Sequence, residues 1–179
     1  MGFEDETQGY AGGVFCSLAI AGVWYRSRTA EGRDARDRPL SYLLDTDVVS
    51  EWTKPQPNGS VIAWLDEVQE NETFLSVVSM AETRYGIERL PLGARRERLD
   101  KWLDEDLYQR FNGRLLDVTA PVAEAWGRLL ARAHRRGFNV GPVDAFIAAT
   151  AQVHHLTVVT RNVKDFEPLG IAYLNPWSA

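Results

Sequence analysis

The stretch YLLDTD, Tyr42 to Asp47, decides how this chain is read. Three apolar residues run straight into an acid, without the apolar–polar alternation of a strand that shows one face to water. Tyr42–Leu44 is therefore expected to be a short strand covered on both faces, with Asp45 at its carboxyl end. A carboxylate there loses much of its hydration. It keeps its charge only if a cation or several hydrogen-bond donors face it.

Beyond this stretch, short apolar runs alternate with amphipathic ones. Val61 to Val68 has helical spacing after an Asn58-Gly59 turn. Thr73 to Val78 is strand-like, and Ser79 to Leu90 reads as a helix stopped by Pro91. Ala94 to Leu107 is a charged helix with Leu99, Trp102, Leu103 and Leu107 on one face. Arg114 to Val118 is a short strand. Pro121 to Arg136 is a long helix with proline at its start and Gly137 just past its end. Pro142 to His154 is a further helix, Leu156 to Thr160 a buried strand and Ile171 to Leu174 a last one. This order predicts an α/β fold with a central parallel sheet of four to five strands and helices on both faces. Such sheets bind ligands at the carboxyl ends of their strands, where the strand order switches direction.

Four acids fall at that edge. Asp45 ends the first strand, Glu82 is expected in the first turn of the helix after the second, and Asp144 opens the helix begun by Gly141-Pro142. Asp165 follows Thr160-Arg161-Asn162. Three of them also have plain structural readings. Ser79 and Glu82 have capping-box spacing, Asp144 suits a helix N-terminus, and Asp165 suits a cap for the turn Phe166 to Leu169. Together, four carboxylates at one edge would repel each other unless hard divalent cations with oxygen ligands joined them. Such a cage needs no histidine. It can activate water and neutralise charge developing on a phosphodiester. Thr160 and Asn162 stand beside the same edge as hydrogen-bonding partners.

The 179 residues suit one domain and the 45% hydrophobic content suits a buried core, while the net charge of −5 argues against a strongly basic nucleic-acid binder. A single cysteine, Cys16, excludes an intrachain disulfide framework and fits a cytoplasmic setting. Residues 1–40 read differently from the rest, as a loosely attached or disordered extension ahead of a domain at 41–179. The apolar patch Ala11 to Tyr25 follows acids rather than lysines or arginines, so it makes a poor signal peptide. It is also shorter than the roughly 20 residues of a membrane span. The native domain is expected to start near Leu40 or Ser41, the leader being a gene-start artefact.

The segments YLLDTDVVSEWTK (42–54), LSVVSMAETRYGIERL (75–90) and GPVDAFIAATAQVHHLTVVTRNVKDF (141–166) resemble PIN-domain ribonucleases, specifically the VapC-type toxins of bacterial toxin–antitoxin pairs. The resemblance spans Ser41 to Pro176. It implies a three-layer α/β/α fold and cleavage of RNA, in transfer or ribosomal RNA loops, dependent on Mg²⁺ or Mn²⁺. It also implies a homodimer neutralised by a small antitoxin that inserts a segment near the site. The family's acids fall on Asp45, Glu82, Asp144 and Asp165, and its strand-end hydroxyl on Thr160. Attack by cation-activated water would leave 5′-phosphate and 3′-hydroxyl ends. Asp47 departs from the Asn common at that position, and the leader has no counterpart in the family.

Two other functions fit parts of the sequence. Leu43 to Asp47 also suits a haloacid-dehalogenase-like phosphatase, with Asp45 as nucleophile and Asp47 as acid/base. That reading leaves Glu82 without a role. A non-catalytic RNA- or protein-binding module would keep the acids only as a remnant. His134, His154 and His155 have no metal-ligand spacing with the acids and sit at helix ends. Trp64, Trp102 and Trp126 have core spacing. Arg84, Lys164 and the group Arg95, Arg96 and Arg98 read as surface charge with some reach toward phosphate.

Overall fold

The computed structural model describes residues 18–20, 23–25 and 40–178. Strands β1 (Leu18–Ile20) and β2 (Val23–Tyr25) pair antiparallel as a separate ladder. The rest of the expected 1–40 extension, with most of the apolar patch, lies outside the described residues.

From Leu40 onward the elements follow the expected alternation. β3 (Tyr42–Leu44) leads into α1 (Thr46–Glu51) and α2 (Gly59–Glu67), then β4 (Thr73–Ser76) into α3 (Val77–Glu88). α4 (Ala94–Lys101) runs on through wider π-type turns, Trp102–Leu107, into α5 (Tyr108–Arg110) and β5 (Leu115–Leu116). α6 (Ala120–Arg135), α7 (Pro142–His154), β6 (Thr157–Val159), α8 (Val163–Phe166) and β7 (Tyr173–Leu174) complete the domain. Among the described residues no helix is long and apolar enough to cross a membrane.

β3 to β7 form one parallel five-stranded sheet in the order β5-β4-β3-β6-β7. The chain builds from β3 toward one edge, then crosses over and builds toward the other. The switch in strand order therefore falls at β3, the strand that carries Asp45. Side-chain alternation divides the core between two faces. Leu43 and Val158 face α6 and α7 with Val122, Leu129 and Ile147. Leu44, Leu75 and Val159 face α1 to α4 with Val48, Val61, Met80 and Leu103. Leu43 and Leu44 are both fully buried, so this is the three-layer α/β/α arrangement expected of an unalternating strand.

The strands expected at Arg114 to Val118 and Ile171 to Leu174 shorten to two residues each, and one further boundary, beside the acids, shifts. The strand expected at Thr73 to Val78 stops at Ser76, and Val77 and Val78 already belong to α3. The cause is the Ser76 side chain, which accepts a hydrogen bond from the Val78 backbone N–H at 3.1 Å and caps the helix.

Candidate active site

Sheet register makes the first placement. Leu44 lies level with Leu75 and Val159, so the next residue on each strand, Asp45, Ser76 and Thr160, stands in a row at the carboxyl edge. The Asp45 N–H donates to the Val159 carbonyl at 3.0 Å, extending the ladder by one bond. Thr160 Oγ1 then donates to Asp45 Oδ2 at 2.6 Å, and the Thr46 N–H donates to Asp45 Oδ1 at 2.7 Å. Asp45 thus has a structural task that its position in the sequence did not suggest, as the N-cap of α1.

Two donors do not offset the burial of this carboxylate, which is 5% exposed. Loss of hydration pushes its pKa up to about 7 against both hydrogen bonds, and the charges of Asp47 and Asp144 push the same way. Asp144 lies in the first turn of α7, as expected. Its pKa rises to about 6, chiefly through burial and then through Asp165, Glu82 and Asp47. These acids lie close enough to disfavour one another's charge.

Two capping expectations are corrected. The Ser79–Glu82 capping box does not form. The cap is Ser76, so Glu82 sits in the second turn of α3, where Thr46 Oγ1 donates to its Oε2 at 2.7 Å. Ser79 is buried inside the helix. Asp165 does not cap the turn after Phe166. It lies within α8 and accepts a bond from Asn162 Nδ2. Asn162 also donates its backbone N–H to Thr160 Oγ1 at 2.9 Å. A continuous hydrogen-bonded row results: Glu82, Thr46, Asp45, Thr160, Asn162, Asp165. Asp144 is coupled to this row through charge. Thr46 is the member that sequence reasoning missed. A hydroxyl directly after a strand-end acid, at the first position of a helix, was its only signal.

Gly141 packs against Asp144. A Cβ at position 141 would lie 2.8 Å from Asp144 Oδ2, while the glycine's own φ of −62° is open to any residue. Gly141→Ala is therefore expected to preserve the fold and displace the Asp144 carboxylate. Circular dichroism should be unchanged, while the affinity of the acid cluster for Mn²⁺, read by titration calorimetry, should fall about tenfold or more, the scale of misplacing a ligand's surroundings.

The donor set suits a hard divalent cation, since every candidate ligand atom is a carboxylate or hydroxyl oxygen. Burial first, and then the neighbouring carboxylates, raise the pKa values of Asp45 and Asp144, and a cation held among them would oppose both effects. Among the described residues, no three Asp, Glu, His or Cys side chains are disposed as a finished metal cage.

Other candidates are placed elsewhere. Arg84 is held by Asp100 at 2.7 Å and by Asp104, and Arg96 by Glu88, which ties α3 to α4 rather than serving the acids. Trp126 stacks on Phe146 at 4.7 Å, and Trp64 meets Tyr42 edge-on at 5.2 Å, both packing roles. His134 and His154 lie in the last turns of α6 and α7, and His155 ends α7 with φ 57°. Glu51 was not singled out from the sequence. It is buried and accepts bonds from Lys54 Nζ at 2.5 Å, the Asn58 N–H at 2.8 Å and Trp177 Nε1 at 3.3 Å, tying α1 to the chain after β7.

Residues 42–169 match the family model described as PIN domain. Toxin FitB of Neisseria gonorrhoeae is 38% identical over 135 residues, covering 75% of this chain and 97% of that protein. VapC ribonuclease Y4jK of Sinorhizobium fredii is 35% identical over 135 residues, covering 75% and 96%. Among solved structures, FitAB bound to an IR36 DNA fragment superimposes with a TM-score of 0.72 at 37% identity, covering 76% of this chain and 95% of that one. The family match includes the Leu43 to Asp47 stretch and replaces the phosphatase expectation built on it.

Proposed function

This chain belongs to the PIN-domain family, and from that premise we propose that it is a divalent-metal-dependent endoribonuclease acting as the toxin of a toxin–antitoxin pair. The observation that carries this reading is the hydrogen-bonded row of acids at the switch point of the sheet. The names of the relatives, toxin and VapC ribonuclease, support it. Asp45, Glu82, Asp144 and Asp165 would hold Mg²⁺ or Mn²⁺. Bound there, the ion would supply the positive charge that activates water and neutralises the developing charge on a phosphodiester.

The chain's own residues prepare the site. Thr160 and the Thr46 N–H each fix one oxygen of Asp45, so its carboxylate is oriented before any ligand arrives. The Thr46 hydroxyl orients Glu82 from across the gap between α1 and α3, and the Asn162 amide orients Asp165. Burial of Asp45 keeps bulk water from one side of the cluster. A protonated Asp45 or Asp144 binds a cation poorly, so cleavage should rise with pH through the range of about 6 to 7.

The substrate in this reading is structured RNA, cut in exposed single-stranded loops such as those of transfer or ribosomal RNA. The partners are a small cognate antitoxin and a second copy of the chain, and the setting is cytoplasmic. The test is purified protein incubated with structured RNA in Mg²⁺, Mn²⁺ or EDTA. Cleavage should require the cation, disappear in Asp45→Ala and Asp144→Ala, survive in Asp47→Asn, and leave 5′-phosphate ends. Equal cleavage by wild type and both alanine variants, or 2′,3′-cyclic phosphate ends, would refute the proposal.

A further inference from the structure

Arg161 is a cation at this edge that the acid row does not use. It directly follows Thr160, whose backbone N–H is fixed to the Leu174 carbonyl at 3.0 Å and whose hydroxyl is fixed to Asp45. Its guanidinium reaches back to Asp47, with Nη2 3.4 Å from Oδ1, and its Cζ lies 5.8 Å from the centre of the Trp177 ring. Trp177 is itself held by Glu51. The Arg161 side chain therefore has an aromatic rest and an anchored base, yet it remains 56% exposed.

Three features point to what it would grip. An ion pair of this length, between an exposed arginine and a half-buried aspartate, is weak and readily exchanged. A guanidinium presents a planar fork of donors that fits two phosphate oxygens better than one carboxylate oxygen at a distance. And the edge carries Asp45, Asp47, Glu82, Asp144 and Asp165, which together repel a polyanion until it finds a positive handhold. Arg84 and Arg96, the other arginines weighed above, have closer partners: Arg84 is tied to Asp100 and Asp104, and Arg96 to Glu88.

Building on the ribonuclease reading, we infer that Arg161 is a phosphate-binding residue that exchanges Asp47 for a backbone phosphate of the RNA beside the acid row. Asp47 is then a placeholder that competes with RNA for the same guanidinium. Its two substitution effects should have opposite signs: losing Arg161 weakens RNA binding, while neutralising Asp47 frees Arg161 and strengthens it.

The experiment is binding of a single-stranded RNA oligonucleotide to the full chain in EDTA, which leaves the RNA uncut, followed by fluorescence anisotropy across a KCl series. Arg161→Gln should weaken binding and flatten the slope of log affinity against log salt by about 0.7, the loss of one phosphate contact to a single strand. Arg161→Lys should keep the slope, and Asp47→Asn should tighten binding. Arg128→Gln removes an equal charge from an i,i+4 pair with Glu124 on α6 and should leave the slope unchanged. In Mn²⁺, Arg161→Gln should raise KM for RNA while kcat stays within about twofold of wild type, since the lost contact is made in the ground and transition states alike. An Arg161→Gln slope equal to wild type, alongside intact wild-type cleavage, overturns the role of Arg161 and leaves the nuclease standing. Absence of cleavage by the wild type overturns both.

Discussion

Asp45→Asn is expected to yield a protein that is more stable than wild type at pH 8 without divalent cations, and that no longer cleaves RNA. The Asp45 carboxyl has a folded pKa of about 7 against an ordinary value of 3.8. Between those values the folded state holds a proton that the unfolded chain has released. Stability therefore falls as pH rises through this window, and the loss is complete above pH 7. The gap corresponds to about 4 kcal/mol at the upper limit. Asparagine removes the buried charge but matches the donors imperfectly. Its oxygen can serve the Thr46 N–H, while Thr160 Oγ1, already accepting from the Asn162 N–H, must then accept again. A net gain of about 1–3 kcal/mol is expected after the poorly paired hydroxyl is subtracted.

Urea unfolding in EDTA at pH 8 and pH 5 measures this. The gain should be smaller at pH 5 by about 2–3 kcal/mol, because that pH lies partway down the window, and the charge penalty is gone only below about pH 4, where the unfolded carboxyl is protonated as well. A variant equally stable relative to wild type at both values would show that Asp45 carries no buried charge. The cleavage rate should fall by at least about a hundredfold, the usual scale for removing a group that organises charge stabilisation in a transition state.

Mg²⁺ or Mn²⁺ should reverse the same penalty in the wild type. A ligand that binds only the folded state stabilises it by about 2.7 kcal/mol at a hundred times its dissociation constant. For a chain of this size that is roughly 5–10 °C in Tm. The shift should be larger at pH 8 than at pH 5, because protons compete with the cation for Asp45 and Asp144, whose pKa values of about 7 and about 6 lie between. Asp144→Ala should lose most of it. Differential scanning fluorimetry in EDTA and in each cation provides the readout. A wild-type Tm unmoved by either ion at pH 8 would remove the basis for a metal-dependent mechanism.

The two effects share one cause, which also explains what was legible in advance. The strand YLL and its terminal acid could be read from three consecutive apolar residues, because a strand buried on both faces must lack alternation. Asp144 in the first turn of α7 was equally legible, since proline marks that helix start. Glu82 was assigned the wrong turn. Both Ser76 and Ser79 can cap a helix, and the choice depends on where pairing with β3 lets β4 end. A similar ambiguity affected Asp165, whose partner is Asn162 rather than the turn that follows.

The sequence by itself determined the layered α/β arrangement, the strand-end position of Asp45 and the acids that compose the edge, because hydrophobic period and strand-end chemistry are local properties. Tertiary structure alone decided the spatial order of the strands, and with it that β6 lies beside β3, bringing Thr160 within 2.6 Å of a residue 115 positions away. It also decided that Thr46 joins Asp45 to Glu82, and that Arg161 turns to Asp47 over Trp177. These contacts depend on register and on side-chain direction across a sheet. Neither is set by any single segment, since each strand becomes an edge or a neighbour only when the others have packed.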